Sequence, residues 1–528
     1  MIKKFRKFIL SIISLIFSDE NERDFIKHNK KLFTSYKNKK NEILIEHNNM
    51  RSNYIAVSYF TEILSQIHDA EPVGYQPRIK FGFFNKLKLY LLDFKVKKIY
   101  KSFGVNKTLN HSINGYRALA NHLTDKLMSE INSKNDLINL TIDEISIGDL
   151  IYDQYLAVYK EPTVTIKSEK LREILFDFSI LYYYWTDYFY KKKTKALIVG
   201  HACYFMGISA RIAISFDIPV YQVNLQNVYY LSKQNLFPSS EFHSYKKDFE
   251  KLNPIIKNNA ILQARERIKL IFEGKIDVDQ PYIRNSAYIQ KKTTSKIING
   301  KKKVKILIAS HSFYDSPNGI GKTLFPDFYD WLEFVGKLSD QTDYEWYIKT
   351  HPGIGIRDKE TINSFVSRFK NIILVPDLTS HHQLIEEGIN IVLTVYGSIG
   401  LEYATKNITV INASLNNPHI SYDFNIHPKS KKELEDIILK IEDYINLNLF
   451  SDDVYKCYFM KYLYHNYNIF FRDFKSTEKL IGGYENLNLS IIFDYWIKDL
   501  TLDIHGKIKQ NIKNFISSKE YKIISGWN

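Results

Sequence analysis

Apolar and polar positions along this chain fall into two runs of alternating strand and helix patterns. In the first, residues 43–45 read as a strand, HNNMRSN as a polar loop, 54–67 as an amphipathic helix and Ala70–Tyr75 as the next strand. The logic returns at 195–223, where ALIVG, HACYFMGISARIAISFD and IPVYQV spell strand, turn-plus-helix and strand. The second run is more regular. Short strands are predicted at 304–309, 344–349, 371–375, 390–395 and 408–411, with helices over 324–338, 359–369, 379–387, 398–405 and 431–444. Strands alternating with helices at this spacing predict α/β domains whose parallel sheets are covered on both faces.

Segments without that alternation set the boundaries. Residues 1–40 form a basic amphipathic helical segment, 41–275 a first Rossmann-like domain, 276–303 a linker ending in NGKKK, 304–448 a second Rossmann-like domain, and 449–528 an aromatic helical segment. Within the first domain, 81–136 is helical and basic, suited to a lid or a membrane-facing surface, and 145–156 is a compact segment carrying Gly148 and Asp149.

Composition changes this picture in three places. A length of 528 residues exceeds a single core of about 250–300 residues, in line with two domains. Net charge of +15 suits an anionic membrane surface or phosphorylated substrates; without a nucleic-acid-binding signature beside it, nucleic acid is not expected as a partner. Cys203 and Cys457 stand alone, which excludes a disulfide framework or CxxC metal site and fits a reducing cytosol. At the amino terminus, Lys3, Lys4, Arg6 and Lys7 precede an apolar run too short to span a bilayer, which takes about 20 residues. It reads as a helix lying on the inner face of the cytoplasmic membrane, or as a first helix docked on the domain.

The candidate chemistry lies at predicted strand ends. In IVLTVYGSIGLEYATKNITVINAS, Tyr396 and Gly397 break a strand, Ser398 is placed to cap a helix, and Glu402 follows one turn along the same face. Such a turn at a sheet's carboxyl edge offers N–H groups to an anion, and Glu402 suits a ribose diol. His311, Asp315 and Gly319 lie in a polar loop after the strand at 304–309. That loop contains Gly321-Lys322-Thr323, but Ser316 holds the first glycine position of a P-loop and no acidic Walker B strand follows, so an ATPase is not expected. In the first domain Glu46 and His47 follow a strand, as solvated loop residues or as a general base, and His201 follows Gly200 at another strand end. Asp277-Val278-Asp279 is a weak metal-binding pattern in the linker, and no metal site is assigned.

Two Rossmann-like halves, a linker, a strand ending in Lys349-Thr350-His351-Pro352 and then TVYGSIGLEYA resemble the GT-B glycosyltransferases of bacterial surface-polysaccharide synthesis. The likeness is nearest to the capsule Kdo-transferase group that shares the HP dipeptide. It implies a GT-B fold, with parallel sheets facing across a cleft and the last helices crossing back to the first domain. His351 would contact the donor phosphate, Pro352 shape the base pocket, Gly397, Ser398 and Ile399 donate to phosphate, and Glu402 take the ribose. Glu46, Asp149 and His201 are the candidates for catalytic base. The implied activity moves a sugar from a nucleotide donor, a CMP-sugar before a UDP-sugar, onto a membrane-bound capsule or lipopolysaccharide glycan. It implies no cofactor and no metal, and a cytoplasmic enzyme held at the inner membrane surface. A non-hydrolysing sugar-nucleotide epimerase, a polyol-phosphate transferase and a non-catalytic export or assembly partner remain open.

Overall fold

A computed structural model of the chain describes residues 18–48, 50–77, 94–109, 113–238, 240–275, 286–288, 296–351, 355–445, 447–464 and 467–523. The basic apolar stretch before residue 18, residues 81–93 and 110–112 of the predicted lid, Asp277-Val278-Asp279 and Pro352 lie outside the described residues.

The strands of the first half are β1 (Asn41–Glu46), β2 (Ala70–Tyr75), β3 (Lys107–Thr108), a small hairpin of β4 (Thr141–Ile142) and β5 (Ile145–Ser146), β6 (Thr194–Val199), β7 (Val220–Val223) and β8 (Val228–Leu231). Those of the second half are β9 (Lys305–Ala309), β10 (Glu345–Lys349), β11 (Ile372–Leu374), β12 (Ile391–Thr394) and β13 (Thr409–Asn412). One sheet has the order β3-β2-β1-β6-β7-β8, parallel except for the antiparallel β7–β8 pair. The other is wholly parallel, in the order β11-β10-β9-β12-β13.

Successive residues of a strand point to opposite faces, so a sheet buried on both sides needs unbroken apolar runs. Ile43 and Ile45 enter one core with helix Arg51–His68, while Leu44 enters another with helices Gly148–Tyr159 and Glu169–Lys191. Likewise Ile306 and Ile308 face helix Phe328–Ser339, and Leu307 faces helix Ile399–Ala404. Two Rossmann-like layers result, as the sequence pattern predicts.

Helix Glu20–Leu32 is stopped at its start by a capping box between Asp19 and Glu22. It docks on the first domain: Phe25 stacks on Phe493 at 4.1 Å, and buried Glu22 pairs with Arg51 at 2.8 Å and Lys95 at 2.7 Å. The carboxyl-terminal segment divides. Asp453–Tyr458 packs on the second domain, whereas Phe470, Phe493, Trp496, Ile512 and Phe515 complete the first core. Helices Tyr245–Glu250 and Pro254–Phe272, expected within the first domain, sit instead with Leu401, Ala404 and Tyr422 of the second. Small Ala260 and Ala264 make that close approach possible, a feature the helix's weak amphipathic pattern conceals. The helix expected from 324 begins at Phe328, because Pro326 disfavours the helical conformation before it and the Asp327 carboxylate accepts from Asp330 N–H at 2.7 Å.

Candidate functional site

In a doubly wound sheet, the strand order reverses where the chain leaves one strand toward opposite sides, and a crevice opens at the carboxyl ends there. The first sheet reverses between β1 and β6, the second between β9 and β12. Both crevices collect residues singled out by the sequence.

At the first, Glu46 closes β1 and His47 follows; both are buried, not solvated. Their packing depends on two glycines. A Cβ on Gly74 would stand 2.1 Å from His47 Nε2, and one on Gly200 would stand 2.4 Å from Asn48 Nδ2 and 3.3 Å from Glu46 Oε1. His201 is exposed beside them, with Nδ1 3.1 Å from Cys203 Sγ. Desolvation lowers its pKa, against the pull of the Asp315 carboxylate, and so favours the neutral ring. Burial and the carboxylates of Asp153, Asp315 and Glu46 hold the Cys203 thiol protonated. Tyr204 then adopts φ 55°, a conformation costing a bulky side chain about 1–3 kcal/mol.

At the second crevice, His311 follows β9 and reaches β12. Its Nε2 accepts from Val395 N–H at 3.2 Å and lies 3.1 Å from Thr394 Oγ1; its ring stacks on Phe328 at 4.7 Å. Burial lowers its pKa to about 3. Gly397 is required by closeness: a Cβ there would stand 2.9 Å from Thr394 Oγ1, and its N–H already donates to that oxygen at 3.2 Å. Ser398 does not cap the helix Ile399–Ala404. Its backbone is helical (φ −58°, ψ −21°) and its hydroxyl bonds to Glu402 instead. The Oε2 of Glu402 also accepts from Tyr288 O–H at 2.7 Å, so in this state a tyrosine hydroxyl of the linker occupies the carboxylate expected to hold a ribose. Burial raises the Glu402 pKa, opposed by Tyr288, Ser398 and Lys461.

His351 lies exposed after β10; desolvation lowers its pKa while Asp358 raises it. Lys349, the last residue of β10, is buried, donates to Asp377 C=O at 3.1 Å and has its pKa lowered by burial to about 8. Gly319 belongs to the loop after β9, where its missing side chain admits Ser316 Oγ at 2.8 Å from the Cβ position.

The two crevices face each other through that loop. Tyr204 O–H donates to Asp315 Oδ1 at 3.4 Å, and Asn318 Nδ2 donates to Asp153 Oδ1 at 2.8 Å. Nearby, Asp327 Oδ2 accepts from Thr163 O–H at 2.5 Å and from Tyr152 O–H, and Lys134 pairs with Asp330 at 2.6 Å. Asp153 is thus an acid that the first domain brings to the junction. Asp149, one turn earlier on the same helix, is instead held by buried Arg211 at 2.7 Å. The i, i+4 spacing of the two aspartates was readable in the sequence; which of them met the other domain was not.

No family model and no curated protein matches the chain. Among solved structures it is similar to a UDP-GlcNAc 2-epimerase from Neisseria meningitidis, at 11% identity over 80% of this chain and 97% of that one, with a TM-score of 0.25. It is similar to the KpsC β-Kdo 2,4 transferase of Thermosulfurimonas dismutans, at 13% identity over 50% and 79% of the two chains, TM-score 0.29. A glycosyltransferase from Rickettsia africae matches at 12% identity over 92% and 99%, TM-score 0.25.

Proposed function

We propose that the protein is a glycosyltransferase of GT-B type that moves a sugar from a nucleotide-activated donor to a capsule or lipopolysaccharide glycan. The observation that carries the reading is the meeting of two switch-point crevices. One presents His201 and Glu46, and the other His311, His351 and the Gly397 turn. Sugar transfer needs a base on the acceptor side and fixed donors on the side where nucleotide phosphate leaves with growing negative charge.

In this reading the donor phosphate lies against His311, His351 and the turn, and Glu402 takes the ribose once Tyr288 gives way. His201 is the base. With Nδ1 turned to Cys203, its Nε2 takes the acceptor hydroxyl's proton while the hydroxyl oxygen attacks the anomeric carbon and the nucleotide departs. The reaction so drawn uses no metal ion. A basic chain suits a membrane-bound, phosphorylated acceptor at the inner membrane surface, and a cytidine nucleotide is the donor class to test first.

Thermal melting with CMP, CDP, UDP, GDP and ADP, on wild type and His351→Ala, tests the reading. At about 100 times its dissociation constant a ligand stabilises the fold by roughly 2.7 kcal/mol. One nucleotide stabilising wild type and not the variant is expected, and no shift from any of them overturns the reading. Epimer formation from a UDP-sugar without acceptor would replace the transferase by an epimerase.

A further inference from the structure

We propose that His311 meets the donor's phosphate as a neutral hydrogen-bond donor through Nδ1, and that Thr394 is the positioning residue that holds its ring for that contact. The inference rests on the donor-site reading above. Its geometry is local to the second crevice.

A backbone N–H always donates. Val395 N–H is aimed at His311 Nε2 at 3.2 Å, so that nitrogen carries a lone pair. A neutral imidazole with an accepting Nε2 has its proton on Nδ1. The Thr394 hydroxyl completes the arrangement. Its oxygen accepts from Gly397 N–H at 3.2 Å and lies 3.1 Å from His311 Nε2; with that nitrogen unprotonated, the hydroxyl proton shares its lone pair with Val395 N–H. One buried hydroxyl therefore ties the imidazole after β9 to the glycine turn after β12. A Cβ on Gly397 would stand 2.9 Å from this oxygen and 3.7 Å from His311 Cε1, so the ring carbon between the two nitrogens borders the turn.

Aromatic neighbours fix the ring plane. Phe328 stacks on it at 4.7 Å with an interplanar angle of 20°, Tyr396 lies at 4.9 Å and Trp331 meets it edge-on at 6.3 Å. None of these brings a counter-charge, and His351, the neighbouring titratable group, opposes protonation as burial does. Among the described residues Nδ1 has no hydrogen-bond partner, so its N–H is left for a ligand. A neutral donor of this kind strengthens as charge grows on the leaving phosphate and loses no proton to it.

The test uses full-length protein labelled with 15N-histidine, with the His311 signals assigned by their loss in His311→Gln. Magic-angle-spinning spectra from pH 5 to 8 are expected to show an unprotonated Nε2 and a protonated Nδ1 throughout. Saturating nucleotide should move the Nδ1 signal, and the matching nucleoside, which lacks phosphate, should not. Thr394→Val, which keeps the shape and removes the hydroxyl, should weaken nucleotide binding about 3- to 10-fold, and Thr394→Ser should restore it.

A protonated Nε2, conversion to imidazolium within that pH range, or an Nδ1 signal indifferent to a bound nucleotide overturns the assignment. Unchanged affinity in Thr394→Val overturns the role of Thr394. If no nucleotide binds wild type, the donor-site reading and the phosphate contact fall together. The tautomer is then decided by the spectrum of the free protein alone.

Discussion

Replacing Asp153 with asparagine separates the chemistry of the domain junction from its shape. Asp153 is 2% exposed, and its Oδ1 accepts from Asn318 Nδ2 at 2.8 Å and from Asn318 N–H at 3.4 Å. Burial pushes its carboxyl well above the usual carboxylate range; Asp149 and Asp315 push the same way, and the Asn318 bonds oppose them. The folded protein keeps this proton over a pH range in which the unfolded chain has released it. The stability tied to it is fully present below the unfolded value of 3.8 and is lost as pH rises from there toward the folded value. Within that window the loss is about 1.4 kcal/mol per pH unit.

The amide of the substituted side chain would offer the same acceptor oxygen and no titrating proton. Asp153→Asn should therefore match wild type near pH 4 and gain on it steadily as pH rises to 8. One kcal/mol corresponds to about 2–4 °C in a domain of 150–250 residues, so calorimetric melts at successive pH values resolve the trend. A difference between variant and wild type that stays constant across this range refutes a protonated Asp153.

The other perturbations act at places where one cause dominates. Arg211→Met leaves Asp149 buried without its cation and should lower stability by about 3–5 kcal/mol in urea titrations, whereas a surface pair would give about 0–1. Trp496→Ala empties the space that Phe25 and Tyr59 pack against, and should cost about 3–5 kcal/mol and loosen helix Glu20–Leu32, read by amide hydrogen exchange. Gly200→Ala forces a Cβ to within 2.4 Å of Asn48 Nδ2 beside Glu46; turnover should fall by tenfold or so while the melting temperature moves little.

The sheets were legible in the sequence because β-branched runs bounded by turns admit few other conformations, and Ala70–Tyr75 was placed to the residue. Gly397 was legible as a turn, although the reason it must be glycine, the Thr394 hydroxyl, is a contact the sequence does not display. Ser398 was misread because capping is a local rule and a nearby carboxylate competed for the same hydroxyl. The junction was illegible for the opposite reason. Asp153 and Asn318 are 165 positions apart and Tyr152 and Asp327 are 175 apart, so no periodicity links them. Helix Pro254–Phe272 was assigned by position to the first domain, while its alanines fit the second.

Those distant pairs share a physical consequence. Asp153 and Asp327 both lie buried between the domains, and burial raises the pKa of each; Asp149 and Asp315 raise that of Asp153 further, and Asp330 that of Asp327. Against these carboxyls the junction sets Lys134, which opposes the shift of Asp327. A carboxylic acid held neutral costs little to bury, and the same group ionised costs much more. The fold is therefore most stable while the acids hold their protons, and that stability is lost as pH rises from the unfolded carboxyl value toward the folded ones, although the hydrogen bonds donated by Asn318, Thr163 and Tyr152 favour the ionised form. Because the loop after β9 carries Asn318 as well as His311 and Asp315, the grip between the domains and the geometry of the cleft depend on the same protons.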